Sequence, residues 1–96
     1  MAAEVRSDLA GLQVYSVTYD PASLATVTAR DDAVTVPGVL STDYCVAVVP
    51  PATLNGGMHV LTARVTANNQ VTVRLYNSTA GAVDVASGPW LFIIGR

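Results

Sequence analysis

Residues 61–76 read LTARVTANNQVTVRLY, and this stretch decides the fold class. On each side of the central Asn-Asn pair, apolar and polar side chains alternate with a period of two, which is the pattern of a half-buried β-strand. Both apolar rows lie on one face only if odd positions pair with odd positions, which requires an odd-numbered loop. We therefore predict a hairpin with the three-residue loop 67–69, in which Val65 pairs with Val71 and Asn69 is left-handed.

The rest of the chain has the same character. Valine and threonine dominate, glycine and proline recur at short intervals, and no window keeps a helical period. With 96 residues, 51% of them apolar and 12% charged, the chain is one folded domain and not a disordered segment. Residues 11–96 are predicted to form a single all-β domain, a small antiparallel β-sandwich or jelly-roll-like fold of about seven strands. The strands are predicted near residues 12–19, 24–30, 33–36, 44–49, 58–66, 70–76 and 90–94.

A second hairpin is predicted at Asp31-Asp32, where a two-residue turn would pair Ala29 with Val34. Two adjacent carboxylates are also found in calcium sites and in hydrolases. Adjacent turn residues usually diverge, however, and no further series of acidic positions follows this pair. The pair is therefore interpreted as a solvated turn.

The first ten residues show no strand alternation, and residues 1–10 are predicted to form an N-terminal arm. The arm is either a frayed terminus or a segment that orders on a partner, and a short helix is the other conformation considered. It lacks the apolar centre of a signal peptide, and charged or turn residues interrupt every candidate membrane span. The expectation is a soluble protein made in the cytoplasm, with no membrane partner.

The charge pattern argues against nucleic acid as a partner. The net charge is -2, the basic residues are five scattered arginines, and the chain contains no lysine. Proteins that bind DNA or RNA concentrate basic side chains to neutralise phosphates. Lysine is also the residue most often used to protect exposed strand edges, so its absence predicts edges that are covered or paired in an assembly.

No catalytic, metal or cofactor site is predicted. The only conceivable triad would join Cys45 and His59 to an aspartate, but the apolar neighbours of Cys45 raise a thiol pKa and so disfavour a nucleophile. Metal sites need several converging ligands, and no such spacing occurs. Asn77-Ser78-Thr79 matches the glycosylation sequon and is interpreted as a turn. The protein is expected not to be an enzyme and to need no cofactor.

Two segments are apolar on both faces, residues 44–49 (YCVAVV) and residues 90–94 (WLFII). A strand in a two-layer domain can hide only one face in its own core, so the other face needs a cover. Another copy of the chain or a larger assembly would supply that cover. The residues predicted to make this protein–protein contact are Val46, Val48, Trp90, Leu91 and Ile93.

From about Val34 onwards, several turns and strand ends resemble the small β-sandwich virion proteins of tailed bacteriophages. The segments that carry the resemblance are Val36-Pro37-Gly38-Val39, Asp43, Pro50-Pro51, Leu54-Asn55-Gly56, residues 71–84 (VTVRLYNSTAGAVD) and Ser87-Gly88-Pro89-Trp90. The resemblance is to the head decoration, or cement, members of that group.

This resemblance implies a structural protein on the outer surface of the virion capsid, made in the host cytoplasm. Such a protein forms a homodimer or homotrimer, binds the major capsid protein and stabilises the assembled head. Related modules in tail fibres and adhesins imply the alternative, a module that recognises a cell-surface glycan through loops near Trp90, His59 and Asn77. The position of Trp90 distinguishes the two, because glycan stacking requires an exposed ring.

Overall fold

The computed structural model describes residues 11–54 and 56–96, and within them the chain forms six β-strands and no helix. The strands are β1 (Leu12–Tyr19), β2 (Thr28–Thr35), β3 (Tyr44–Val49), β4 (Met58–Ala67), β5 (Gln70–Asn77) and β6 (Gly88–Gly95). They build two antiparallel sheets, the first in the order β1-β6-β3 and the second in the order β2-β5-β4. The predicted all-β sandwich is confirmed, with six strands instead of seven. The predicted arm, residues 1–10, lies outside the described residues.

The hairpin between β4 and β5 has the predicted pairing but not the predicted loop. Ala67 still belongs to β4 and lies opposite Gln70, so the loop is only Asn68-Asn69, and a bulge between Val65 and Ala67 restores the pairing of odd with odd positions. Val65 lies opposite Val71, and Asn69 has a φ of 62°, in the left-handed region. The Asn69 side chain accepts a hydrogen bond from the backbone N–H of Gly38 at 2.8 Å, and the Asn68 side chain accepts one from Ser41, also at 2.8 Å. The two asparagines therefore shape the turn and also hold the connection between β2 and β3 against it.

The predicted turn at Asp31-Asp32 is wrong, and this accounts for the missing strand. Strand β2 runs straight through both residues, whose side chains point to opposite faces. Asp31 pairs with Arg74 across the second sheet at 2.7 Å, and Asp32 pairs with Arg30 at 2.6 Å. Because each carboxylate has a guanidinium partner on its own face, the extended strand accommodates both charges. The segment also lacks the glycine that a tight hairpin turn favours.

The chain turns before β2, at Val27, which has a φ of 49°. A β-branched residue in this region is strained, because its side chain crowds the neighbouring carbonyl group. The Val27 side chain is also largely exposed and buries little apolar surface. We expect Val27→Gly to stabilise the fold by about 0.5–1 kcal/mol, measured by urea denaturation. Val14→Gly, at a similarly exposed valine in extended β1, is the control and should be destabilising. Loss of stability in Val27→Gly would contradict the assignment of strain.

The core lies between the two sheets and is supplied chiefly by their central strands. Alternate residues of β5 and β6 point into it and are almost entirely shielded from solvent: Val71, Val73, Leu75, Trp90, Phe92 and Ile94. Leu24 and Val83 close one side through an antiparallel bridge between their backbones. Strand β6 thus uses its even-numbered side chains for the core, which leaves the odd-numbered ones on the outside.

Candidate interaction surface

The outer face of the first sheet carries large apolar side chains on all three strands, and on β1 they occupy the half that precedes Ser16 and Thr18. We call this surface the apolar face and define it by the side chains of Leu12, Val14, Tyr44, Val46, Ala47, Val49, Leu91 and Ile93. Val14 lies directly opposite Ile93, and Val46 packs near the Cα of Gly95 at the end of β6. Val14 is 64% exposed and Val46 58%. Residues 11–54 and 56–96 thus leave large aliphatic groups of this face uncovered.

Three of the five predicted contact residues belong to the apolar face. Val46 and Leu91 are exposed there, and Ile93 lies between the β1 and β3 side chains and is partly covered. Strand β6 therefore presents Leu91 and Ile93 on its outer side, and their part in a contact stays a prediction. The central strand supplies the middle of the face, and the two edge strands extend it on either side.

The structure places Val48 and Trp90 on the opposite side. A bulge between Cys45 and Ala47 shifts the register of β3 on β6, so that Ala47 lies opposite Ile93 and Val48 opposite Phe92. Val48 therefore packs against the core instead of sharing a face with Val46. Trp90 is fully buried and stacks edge-on against Tyr19, with ring centroids 5.1 Å apart. Neither side chain lies on the surface predicted for the contact.

Strand β1 adds two side chains to the apolar face that were not among the predicted contact residues. Leu12 and Val14 point outwards from β1, while Tyr15, Val17 and Tyr19 face the core. The signal was present, because the segment LQVYSVTY carries large apolar groups at both odd and even positions. It was weaker than in β6, where no polar residue interrupts the run.

The outer face of the second sheet has the opposite character. A shallow hollow there is lined by charged and hydroxyl side chains: Asp31, Thr62, Arg64, Thr66, Thr72 and Arg74. The hydrogen bond from Arg74 lowers the pKa of Asp31 and keeps this exposed pair charged. The sandwich therefore has one well-solvated side and one side, the apolar face, whose eight defining side chains carry no charge.

The residues of the alternative glycan site do not meet at a surface. Trp90 and Asn77 are both fully buried, and of the three only His59 is exposed, stacked on Tyr76 with 6.4 Å between ring centroids. The Asn77 amide nitrogen donates to backbone carbonyls, so the predicted turn at the sequon is an internally bonded corner. The buried position of Trp90 favours a contact through the sheet face over stacking on a sugar.

Cys45 is partly buried beside the β3 bulge, where its thiol lies 3.7 Å from the carbonyl oxygen of Ala47. Burial raises the pKa of this thiol, which favours the unreactive protonated form. Across residues 11–54 and 56–96, no three His, Cys, Asp or Glu side chains are grouped as metal ligands would be. The same residues contain no helix long and apolar enough to cross a membrane.

Comparison with known proteins finds no matching family model, no matching curated protein and no matching solved structure. The functional interpretation therefore depends on the chain's own surface. Among the features described, the apolar face is the one that the fold does not explain, since a monomer gains nothing from exposing it.

Proposed function

We propose that this protein is a structural virion protein, a capsid decoration or cement protein that binds the assembled head of a tailed bacteriophage through the apolar face. The observation that carries the proposal is the exposure of Val14, Val46, Val49 and Leu91 on one uncharged sheet face. The resemblance of the turns and strand ends to such proteins supports it. The protein would be made in the host cytoplasm and act on the outer surface of the capsid, with the major capsid protein as its partner.

The size of the apolar face fits weak contacts repeated over a lattice. Its strands of six to eight residues cover at most roughly 26 by 14 Å, or about 400 Å² per copy as an upper bound. A stable interface between two proteins usually takes about 800 Å² from each partner. A single copy is therefore expected to dock weakly, and linked copies that engage several sites on a shell gain strength through effective concentration.

The opposite side of the sandwich suits the exterior of a particle. The Arg74–Asp31 pair and the threonines around it remain well hydrated, and no large apolar group lies among the residues that line the hollow. With the apolar face against the shell, the polar outer face of the second sheet would point to solvent. This orientation lets the particle stay dispersed while the aliphatic side chains are buried.

The test is binding of variants to purified heads that lack the decoration protein. Val46→Asp and Leu91→Asp each place a charge on the apolar face, at positions exposed enough for the isolated domain to stay folded. Burying an unpaired carboxylate against the shell is costly, so we expect at least a tenfold loss of co-sedimentation with heads. Thr62→Asp puts the same charge on the opposite side of the sandwich and is the matched control.

Circular dichroism must show that all three variants are folded. The proposal is supported if Thr62→Asp binds heads like the unmodified protein while the two apolar-face variants do not. It is contradicted if Val46→Asp and Leu91→Asp bind undiminished, or if the unmodified protein has no affinity for heads.

A further inference from the structure

Four of the described strands lie at sheet edges, and three of them carry features that prevent pairing with another chain. Strand β3 is short and bulged, and β4 shifts register twice, next to Leu61 and next to Thr66. Strand β2 carries the charged run 30–32 in its middle. Bulges, short length and charges are the usual means by which proteins protect sheet edges.

Strand β1 has none of these features. Its eight residues, LQVYSVTY, contain no charge and no proline, and they pair with β6 in one unbroken register. It is therefore a long, regular and uncharged edge. Such an edge is a template for another strand, since its outward N–H and C=O groups still need partners.

The hydrogen-bonding pattern between β1 and β6 shows which backbone N–H and C=O groups of β1 point away from β6. The N–H of Arg96 donates to the carbonyl of Gly11 at 2.9 Å, and these residues lie directly opposite each other in the register. In an antiparallel pair, alternate residues bond to the neighbouring strand, so the odd-numbered residues of β1 bond to β6. The even-numbered ones, Leu12, Val14, Ser16 and Thr18, direct their N–H and C=O groups to the open edge. Within residues 11–54 and 56–96, no backbone hydrogen bond outside the β1–β6 ladder reaches them.

We propose that a second copy of this chain pairs its own β1 with this edge, antiparallel and about a two-fold axis. A register centred on Tyr15 aligns residues 12–18 of both copies and satisfies the outward groups of all four even-numbered residues with about eight hydrogen bonds. The uncharged strand allows this self-pairing, since no like charges meet at the junction. The result is a continuous six-stranded sheet in the order β3-β6-β1-β1-β6-β3.

Edge pairing also explains the position of the apolar face. Leu12 and Val14 lie on β1, at the border where the two copies meet, so the two apolar faces join into one surface. The joined area is at most about 800 Å², which approaches what a stable interface takes from one partner. The inference rests on the proposed function for the use of this surface, but the dimer is measurable without heads.

Proline at position 16 tests the pairing directly. Ser16→Pro removes an outward N–H and adds a ring at the open edge, while the β1–β6 ladder keeps all its bonds; edge strands tolerate proline at such positions. Ser16→Ala changes the same side chain and keeps the N–H. In sedimentation equilibrium we expect twice the mass of one chain for the unmodified protein and for Ser16→Ala, and at least a tenfold weaker dimer for Ser16→Pro.

A disulfide provides a second measurement that does not depend on Ser16→Pro folding. The proposed register places position 14 of one copy opposite position 16 of the other, within disulfide reach. In a Cys45→Ser background, Val14→Cys with Ser16→Cys should therefore form covalent dimers under mild oxidation. Val14→Cys with Thr62→Cys, which puts the second thiol on the other sheet, should not.

The inference is overturned if the unmodified chain is monomeric at millimolar concentration, if folded Ser16→Pro dimerises normally, or if both cysteine pairs cross-link equally. Dimers that form as expected but show no affinity for heads would contradict the proposed function and leave the edge pairing standing. A monomer that binds heads would contradict the edge pairing and leave the proposed function standing.

Discussion

Trp90→Ala should remove a large part of the protein's stability at 25 °C. The indole is fully buried at the centre of the first sheet and packs edge-on against Tyr19, whose hydroxyl bonds to Asp32 of the second sheet. Truncating a buried tryptophan to alanine costs about 3–5 kcal/mol, because the lost contacts leave a cavity that the core fills only in part. The free energy of unfolding of a natural domain is about 5–15 kcal/mol in total. We expect the urea midpoint to fall by more than half or the folded baseline to disappear.

Leu91→Ala is the matched control, since Leu91 is the next residue of β6 and points to the apolar face. In the isolated protein its truncation should cost less than about 1 kcal/mol, because that side chain is already partly in water. Equal losses in the two variants would show that both faces of β6 are buried in solution. That result would mean that the apolar face is already covered in the isolated protein.

Asn77→Asp is expected to have the second large effect. The Asn77 side chain is fully buried, and its amide nitrogen donates to the carbonyls of Leu24 at 3.0 Å, Ala25 at 3.3 Å and Gly81 at 2.9 Å. Its oxygen accepts from the backbone N–H and the hydroxyl of Thr79 at 2.9 and 2.6 Å. A carboxylate would turn an oxygen towards three carbonyl oxygens. We expect a loss of about 3 kcal/mol or more at pH 7, from the lost donors and the buried charge.

The loss should depend on pH in a defined direction. Burial among carbonyl groups would raise the pKa of the introduced carboxyl above the unfolded value of about 3.9, so the neutral acid, which can donate one hydrogen bond, is favoured in the fold. The deficit relative to the unmodified protein should therefore shrink as the pH falls from 7 towards 4. Urea denaturation at both pH values measures it, and subtracting the unmodified protein removes the contribution of the other acids.

Asn68→Asp is the control for that experiment. Asn68 is exposed and uses its side-chain oxygen to accept from the N–H of Ser41 at 2.8 Å, a role that a carboxylate also fills. The free energy of unfolding of Asn68→Asp should differ from that of the unmodified protein by less than about 0.5 kcal/mol at either pH. A pH-independent loss in Asn77→Asp, or an equal loss in both variants, would contradict the assignment of Asn77 as a buried donor.

Local sequence patterns were enough to place most of the strands. The predicted segments 12–19 and 44–49 coincide with β1 and β3, and the hairpin register around Asn69 is as predicted. These elements are decided by neighbours in sequence, because side-chain parity and turn geometry are short-range properties. The interpretation of Asp31-Asp32 as a turn failed for the opposite reason. The partner that holds Asp31 in an extended strand is Arg74, which is distant in sequence.

The predicted contact residues show the same division between what neighbours in sequence decide and what distant residues decide. The sequence indicated surplus apolar groups on β3 and β6, and Val46, Leu91 and Ile93 do lie on the apolar face. It did not indicate the bulge that turns Val48 inwards, because a bulge is set by how one strand fits its neighbour. Whether Trp90 is core or surface was likewise decided in the tertiary structure, by which alternate side chains of β6 face the second sheet.

The sequence by itself determined that this chain is all-β, poor in charge and apolar on both sides of its most hydrophobic strands. The tertiary structure decided which side is core, which is the apolar face, and that β1, among the described edge strands, is the one with neither charge nor bulge. The physical reason is that alternation defines two faces of a strand without saying which one another layer covers. That choice depends on packing between residues far apart in the chain.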